Sequence, residues 1–292
     1  MIKKKILLTG TSGFIGQKYL VNALSKNYTV IDILRYKNIN NRKLNKIRFK
    51  YPKKYKSIYY SKYNQIKKLL KNQKFECFIN FATLYKNDHN FNEIPKFIAS
   101  NITFPSMILD VIYKNTKKII NFGSMMQHLD GINYLPKNFY ASTKSSLEMI
   151  LKFYSQNNIK LKVYDLKLYE SFSRDDKRNK LIPILIKNYS KNVKTLINSK
   201  NLELNILHVN DIIQAINIIL EKNIKSGSYC LKQKKNIKIK NLIDEINKNK
   251  KKKIKVEYLG NKKTKVPNSR IKILQKWEPK HNVKEEIIKE FI

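Results

Sequence analysis

The sequence predicts an α/β fold, a doubly wound parallel sheet followed by a smaller C-terminal domain. Three observations predict it. A bulky apolar run, Lys5-Ile-Leu-Leu-Thr9, enters a glycine turn, Gly10-Thr-Ser-Gly13-Phe-Ile-Gly16, and a segment of helical period follows at once. Short apolar runs then alternate with helical stretches, as parallel strands joined by crossover helices require. Past Leu168 that alternation loosens, which marks a second domain.

Taken in order, Lys5–Thr9 reads as a buried parallel strand, Tyr19–Leu24 as part of a helix and Thr29–Leu34 as a second strand. Arg42–Tyr60 is basic and aromatic and is expected to be loop with one short strand. Tyr63–Leu70 has helical spacing, and Phe75–Thr83 is another buried strand ending in small residues. Glu93–Tyr113 is a long helical stretch that Pro105 is expected to perturb. Lys117–Phe122 leads as a strand to Ser124, and Leu161–Leu168 is a further strand. Phe172–Lys180 is a charged loop and Leu181–Tyr189 a helix. His208 precedes the apolar helix Ile212–Leu220, which Asp211 or Asn210 is expected to cap. The lysine tract from Lys248 is expected to be a solvated turn before a strand, Ile254–Tyr258. The expected domains are 1–165 and 166–292, with a strand and helix at about 204–222 returning to the first.

Strand, glycine turn, helix and strand within about 30 residues form a nucleotide-binding βαβ unit. Gly10, Thr11, Ser12, Gly13, Phe14, Ile15 and Gly16 carry the turn and the helix start. The helix N-terminus offers N–H groups and the positive end of its dipole to a pyrophosphate. Phe81, Ala82 and Thr83 end a neighbouring strand where such a cofactor passes. The second strand ends on Leu34-Arg35, where a carboxylate would select NAD through its ribose hydroxyl. Arg35 in that place suits a 2′-phosphate and hence NADP, with NAD as the alternative; Asp32 lies close enough for a two-residue offset to reverse this.

The chemistry is expected between Ile119 and Glu148. An apolar strand ends on Ser124, and Tyr140 and Lys144 follow at i and i+4, one turn apart on a helix. An ammonium that close favours the phenolate and lowers the tyrosine pKa, so that Tyr140 exchanges a proton with a substrate oxygen that Ser124 can hydrogen-bond. The spacing alone is uninformative. Tyr63/Lys67, Tyr113/Lys117 and Tyr258/Lys262 repeat it, as chance predicts in a chain rich in Tyr and Lys. Tyr140 stands apart because it follows a strand ending in Gly-Ser and heads a helix.

The 292 residues carry a formal net charge of +40. A charge of that size raises nucleic acid or an anionic membrane as partners. The basic residues argue against specific nucleic-acid reading, since only Arg35, Arg42, Arg48, Arg174, Arg178 and Arg270 are arginines. Abundant Lys, Asn, Ile and Tyr fit drift toward A/T-rich codons. Cys77 and Cys230 match no metal spacing, and His208 has no second ligand near it in the sequence, so no metal site is expected. The apolar run behind Met1 is too short for a signal peptide, and no run spans a membrane, which predicts a soluble cytoplasmic protein.

These residues resemble the extended short-chain dehydrogenase/reductase family of sugar-nucleotide epimerases, dehydratases and reductases. Gly10–Gly16 is similar to its glycine motif, and Ser124, Tyr140 and Lys144 to its catalytic triad. Asn101 is similar to the helix asparagine that supports the triad. His208-Val-Asn-Asp-Ile-Ile, Leu259-Gly260 and Trp277-Glu-Pro279 resemble later family segments.

The resemblance implies a Rossmann domain and a C-terminal substrate-binding domain. It also implies hydride transfer with nicotinamide, with Tyr140 as proton donor, Lys144 on the nicotinamide ribose and Ser124 on the substrate. A nucleotide-sugar would meet Glu170, Arg178 and Lys180, and a homodimer would form through a four-helix interface including the Tyr140 helix. Leu166–Arg178 is most similar to reductases that make CDP-linked deoxysugars.

Met125-Met126 replace the Asp-Glu of the family's 4,6-dehydratases, so the acid–base pair for water elimination is absent. The adenine-contacting Asp near Ser61 is missing, Glu170 replaces an Asn, and Ser173-Arg174 replace Gly-Pro. Three readings follow: an NADP-dependent reductase of a nucleotide-linked 4-keto-6-deoxysugar, an NAD-dependent epimerase of the same fold, and a non-catalytic dinucleotide-binding protein whose basic surface binds RNA or a partner.

Overall fold

A computed structural model describes residues 4–248, 250–263 and 266–291. The first residues of the rejected signal segment and Asn249 of the lysine tract lie outside them.

The chain forms two compact units. The first comprises the residues up to Lys167 with Ile216–Cys230 and Ser269–Lys272; the second comprises Leu168–Ala215, Leu231–Asn268 and Ile273 onward. The returning segment thus begins at Ile216, later than the expected 204–222.

The first unit is built on a seven-stranded parallel sheet. Its strands are β1 (Lys5–Thr9), β2 (Thr29–Arg35), β3 (Tyr55–Tyr60), β4 (Phe75–Asn80), β5 (Thr116–Ser124), β6 (Lys162–Leu168) and the strand Gly227–Leu231. From one edge the order is β3-β2-β1-β4-β5-β6, then Gly227–Leu231. The order reverses at β1, so a crevice opens between the carboxyl ends of β1 and β4. On one face Leu7, Ile31, Phe78 and Ile119 bury against Phe104, Ile108, Leu147 and Leu151.

Arg42–Tyr60 departs from expectation: Arg42–Lys50 is a helix and Tyr55–Tyr60 a full strand. The Asn41 side chain accepts from Leu44 N and starts the helix, while Leu44 alone is buried. One apolar anchor leaves too little periodicity to read. The stretch from Glu93 begins as an α-helix at Ile94–Ile98, widens to a π-turn at Ala99–Thr103 and resumes as a helix at Phe104–Ile112. Pro105 has no N–H for the Asn101 carbonyl four residues back, which explains the widened turn.

The second unit has its own core of Phe172, Ile182, Leu185, Ile206, Leu242 and Ile246. Its strands are short and paired in twos: Glu170–Phe172 with Ile206–His208, Thr195–Ile197 with Val256–Tyr258. The helix after His208 runs Val209–Glu221, and the division between the units falls within it. Asp211 is inside its first turn, not at its cap. The Asp211 carboxylate accepts instead from Lys280 N and the His281 ring.

Candidate active site

β1 runs straight into Gly10, whose φ of +72° lies in the left-handed region. A Cβ there would collide with the backbone of Phe81 and Ala82. Gly16 packs as tightly, since a Cβ would stand 2.5 Å from the Gly10 carbonyl. These contacts bring the turn against the end of β4 and start the helix α1 (Phe14–Ser25), which no side chain caps. A cavity of about 650 Å³ opens beside the turn. Gly10, Ser12 and Gly13 form one side, Arg35 another, and Phe81, Ala82 and Thr83 a third. Thr11, Phe14, Ile15 and Gly16 do not line it. Thr11 is fully buried with its hydroxyl on Asp32.

Sequence reasoning missed Lys37, Asn38, Tyr63, Lys96 and Phe104, which also line the cavity. Tyr60 stacks on Phe104 at 5.1 Å and lies 6.0 Å from Tyr63, making an aromatic wall. A glycine turn at an uncapped helix start, an aromatic wall and cations at the end of β2 together suit a dinucleotide. Asp32, the residue that threatened the NADP reading, is fully buried and absent from the cavity lining.

Ser124 is the last residue of β5. Its hydroxyl accepts from Met126 N at 3.2 Å, and its own N–H donates to Gln127 Oε1 at 2.8 Å. The helix Phe139–Asn157 starts where the Asn138 side chain accepts from Ala141 N. It sets Tyr140 and Lys144 one turn apart, with Lys144 Nζ 5.9 Å from the Tyr140 ring centre. Tyr85 packs edge-on against the Tyr140 ring at 5.0 Å. Burial pushes the Lys144 ammonium down to about 8; the charge of Lys167 adds to that and Asp165 opposes it.

The side chain of Asn101 is fully engaged: it accepts from Leu84 N and donates to Leu84 O and to Thr143 Oγ1. The Thr143 hydroxyl in turn donates to the Tyr140 carbonyl. Asn101 therefore fastens the loop after β4 to the first turn of the Tyr140 helix.

A buried polar chain runs behind these residues. Thr9 donates to Asn80, Asn80 to Asn121 and Asn121 to Asp165 across four adjacent strands. Lys167 lies 2.6 Å from Asp165 and pairs also with Glu148. Glu148 accepts from Ser228 at 2.7 Å and from Gln127, whose other end holds Ser124 N. Gly123 leaves room for this chain, since a Cβ there would stand 2.5 Å from Asp165 Oδ2. None of these residues was singled out from the sequence. The available signal was Asp165 and Lys167 alternating with apolar residues in the strand Lys162–Leu168, with Glu148 one turn past Lys144.

In the second unit the side chains of the residues expected at the substrate are engaged within that unit. Arg178 holds Asp176 through two nitrogens and donates to Ser171, and Lys180 lies 2.6 Å from Glu170. His208 does meet candidate metal ligands, His281 and Glu286, which the sequence had not brought to it. The hydrogen bonds give this cluster a structural role. His208 Nδ1 accepts from Asn210 N, so Nε2 keeps its proton and points it at Glu286, 3.2 Å away. His281 Nδ1 is 2.8 Å from Asp211, and the two rings stack at 4.2 Å.

The family described as the NAD dependent epimerase/dehydratase family matches residues 6–231. The chain belongs to that family. It is an NAD(P)-dependent enzyme of the extended short-chain dehydrogenase/reductase type.

Among curated relatives, the chain is 28% identical over 229 residues to a CDP-abequose synthase of Yersinia pseudotuberculosis, covering 77% of this chain and 75% of that one. It is 22% identical to a CDP-abequose synthase of Salmonella muenchen, covering 88% and 84%. Among solved structures, a UDP-glucuronic acid 4-epimerase from Bacillus cereus, in complex with UDP-glucuronic acid and NAD, superposes with a TM-score of 0.82 at 17% identity, covering 98% of each chain. A dTDP-glucose 4,6-dehydratase from Bacillus anthracis gives 0.76 at 20% identity, covering 99% of this chain and 95% of that one. Among the described residues no helix is long and apolar enough to cross a membrane.

Proposed function

We propose that this enzyme is an NADP-dependent reductase of a nucleotide-linked 4-keto-6-deoxysugar. The observation that carries the reading is Tyr140 and a buried Lys144 on one helix turn beside the strand that ends in Ser124. When bound, the nicotinamide supplies hydride to the sugar carbonyl carbon. Tyr140 gives its phenolic proton to the carbonyl oxygen as charge develops there. With a pKa near 8, Lys144 is mostly cationic at neutral pH and stabilises the phenolate that remains. Ser124 orients the same oxygen.

The relatives support the choice of substrate, since both are named CDP-abequose synthases. Met125 and Met126, following Ser124 in the turn Met125–Gln127, offer no proton donor or acceptor for dehydration. The preference for NADP rests on Arg35 and Lys37 at the cavity and on Leu34 where a ribose-binding acid would stand. Asp32 is held by Thr11 and Tyr55 instead.

The test follows nicotinamide absorbance with purified protein, NADPH or NADH, and a panel of nucleotide-4-keto-6-deoxysugars. Substrate-dependent loss of NADPH supports the reductase and names the sugar. No loss, with NAD released on denaturation, would replace it by the epimerase reading, which the NAD-bound solved neighbours favour. RNA binding that persists at moderate salt, with no turnover, would favour the non-catalytic reading.

A further inference from the structure

Asp32 sits in the middle of β2, fully buried, paired in register with Leu8 of β1 and Ser57 of β3. A strand buried on both faces ordinarily carries an apolar residue there. Its Oδ2 accepts two hydroxyl bonds, one from Thr11 and one from Tyr55 at 2.8 Å. Among the described residues Oδ1 has no partner. Thr11 belongs to the glycine turn, between Gly10 and Ser12, both of which line the dinucleotide cavity while Thr11 does not. One carboxyl group thus ties the back of the turn to the first residue of β3. A buried acid with an unmatched oxygen is costly, and an apolar residue of similar size would pack there without that cost.

We propose that Asp32 is a positioning residue of the dinucleotide site, which fixes the phosphate-binding turn through the Thr11 hydroxyl.

The charged and titratable groups bearing on Asp32 are few. Tyr55 comes from β3, and Arg48 acts from the helix Arg42–Lys50. Burial raises the acid to about 7 against the opposing effects of Thr11, Tyr55 and Arg48. The neutral acid therefore prevails just below neutrality. Ionisation places a negative charge behind the turn that receives phosphates, so dinucleotide affinity falls as pH rises through about 7. By linkage, a bound dinucleotide favours the protonated acid.

The test is calorimetric titration of the whole protein with NADPH and with NADH at pH 6 and pH 8, with melting temperatures alongside. Asp32→Val and Thr11→Val are expected to weaken both dinucleotides by about tenfold at pH 6, the effect of one lost hydrogen bond. Asp32→Asn keeps an acceptor for both hydroxyls. It is expected to bind within about threefold of wild type at pH 6 and to lose the pH dependence. Thr11→Val preserves volume and decides the matter if Asp32→Val does not fold. Wild-type affinity in a folded Thr11→Val protein would overturn the proposal. So would a lowered melting temperature with unchanged affinity, which is the signature of a purely structural role.

Discussion

Lys167→Met is the most informative single perturbation of the active-site support. Lys167 has no exposed side-chain surface and lies between Glu148 and Asp165, each with 4% exposure. Methionine keeps most of the volume and removes the charge, leaving two carboxylates facing each other in a dry site. Breaking a buried ion pair by removing one partner costs about 3–5 kcal/mol, mostly the uncompensated charge left behind.

The pH dependence has a definite sign. Burial pushes Glu148 up, but the charge and hydrogen bonds of Lys167 outweigh it and hold the acid below its ordinary value. In wild type that contribution is present above the unfolded pKa and lost as pH falls through the folded one. In the variant burial is opposed only by the hydrogen bonds of Ser228 and Tyr134, so Glu148 rises, and the penalty is largest at high pH and shrinks as that acid takes up a proton. Urea unfolding followed by circular dichroism should show a loss of about 3–5 kcal/mol at pH 8, smaller by about 1–2 kcal/mol at pH 5. A loss below about 1 kcal/mol at pH 8, or one that grows toward pH 5, would refute the argument. The variant should also turn over more slowly, since Glu148 holds Gln127 and Gln127 holds the Ser124 backbone.

Three other outcomes are expected. Tyr140→Phe should lower turnover by about 10²–10⁴-fold while dinucleotide affinity stays near wild type; near-normal turnover would remove the proton-transfer role. Arg35→Ala should weaken NADPH by about tenfold and NADH far less, read by fluorescence titration, and equal losses would reject contact with a 2′-phosphate. Gly10→Ala should lower stability by about 1–3 kcal/mol and abolish tight dinucleotide binding, because both its positive φ and the adjacent Ala82 backbone exclude a methyl group. Unchanged melting and affinity there would contradict the close approach of turn and strand.

What the sequence disclosed was what local pattern can encode. The glycine turn lies between a strand and a helix that are its immediate neighbours in the chain. Tyr140 and Lys144 are joined by the helical period itself. The buried chain from Thr9 to Glu148 was invisible because it depends on which strands lie side by side. Asn80, Asn121 and Asp165 are far apart in sequence and meet only in the order β4-β5-β6. The same holds for Thr11, Asp32 and Tyr55, which three neighbouring segments of the first unit contribute. Asp32 was noticed only as a rival ribose ligand, because one dimension shows its proximity to Arg35 and not the direction of its side chain. The helix Arg42–Lys50 was missed for another reason: its cap, Asn41, was legible, but eight of its nine residues stay out of the core.

Charge distribution bears on the cofactor question in a way that composition alone does not. Among the described residues five acids (Asp32, Glu148, Asp165, Asp176 and Asp211) are buried, against only Lys144 and Lys167 among the bases. The outer surface is therefore more positive than the formal +40 suggests. Its cations are almost all lysines, compact point charges that attract anions without bidentate geometry. Such attraction is screened over about 10 Å at 0.1 M salt. NADPH carries one phosphate more than NADH, so its dissociation constant should rise more steeply between 50 and 300 mM sodium chloride, and Arg35→Ala should remove much of the difference. Equal salt slopes in the wild-type protein would mean that the extra phosphate of NADPH makes no ionic contact with these cations. Selection between the cofactors would then have to come from uncharged contacts in the cavity.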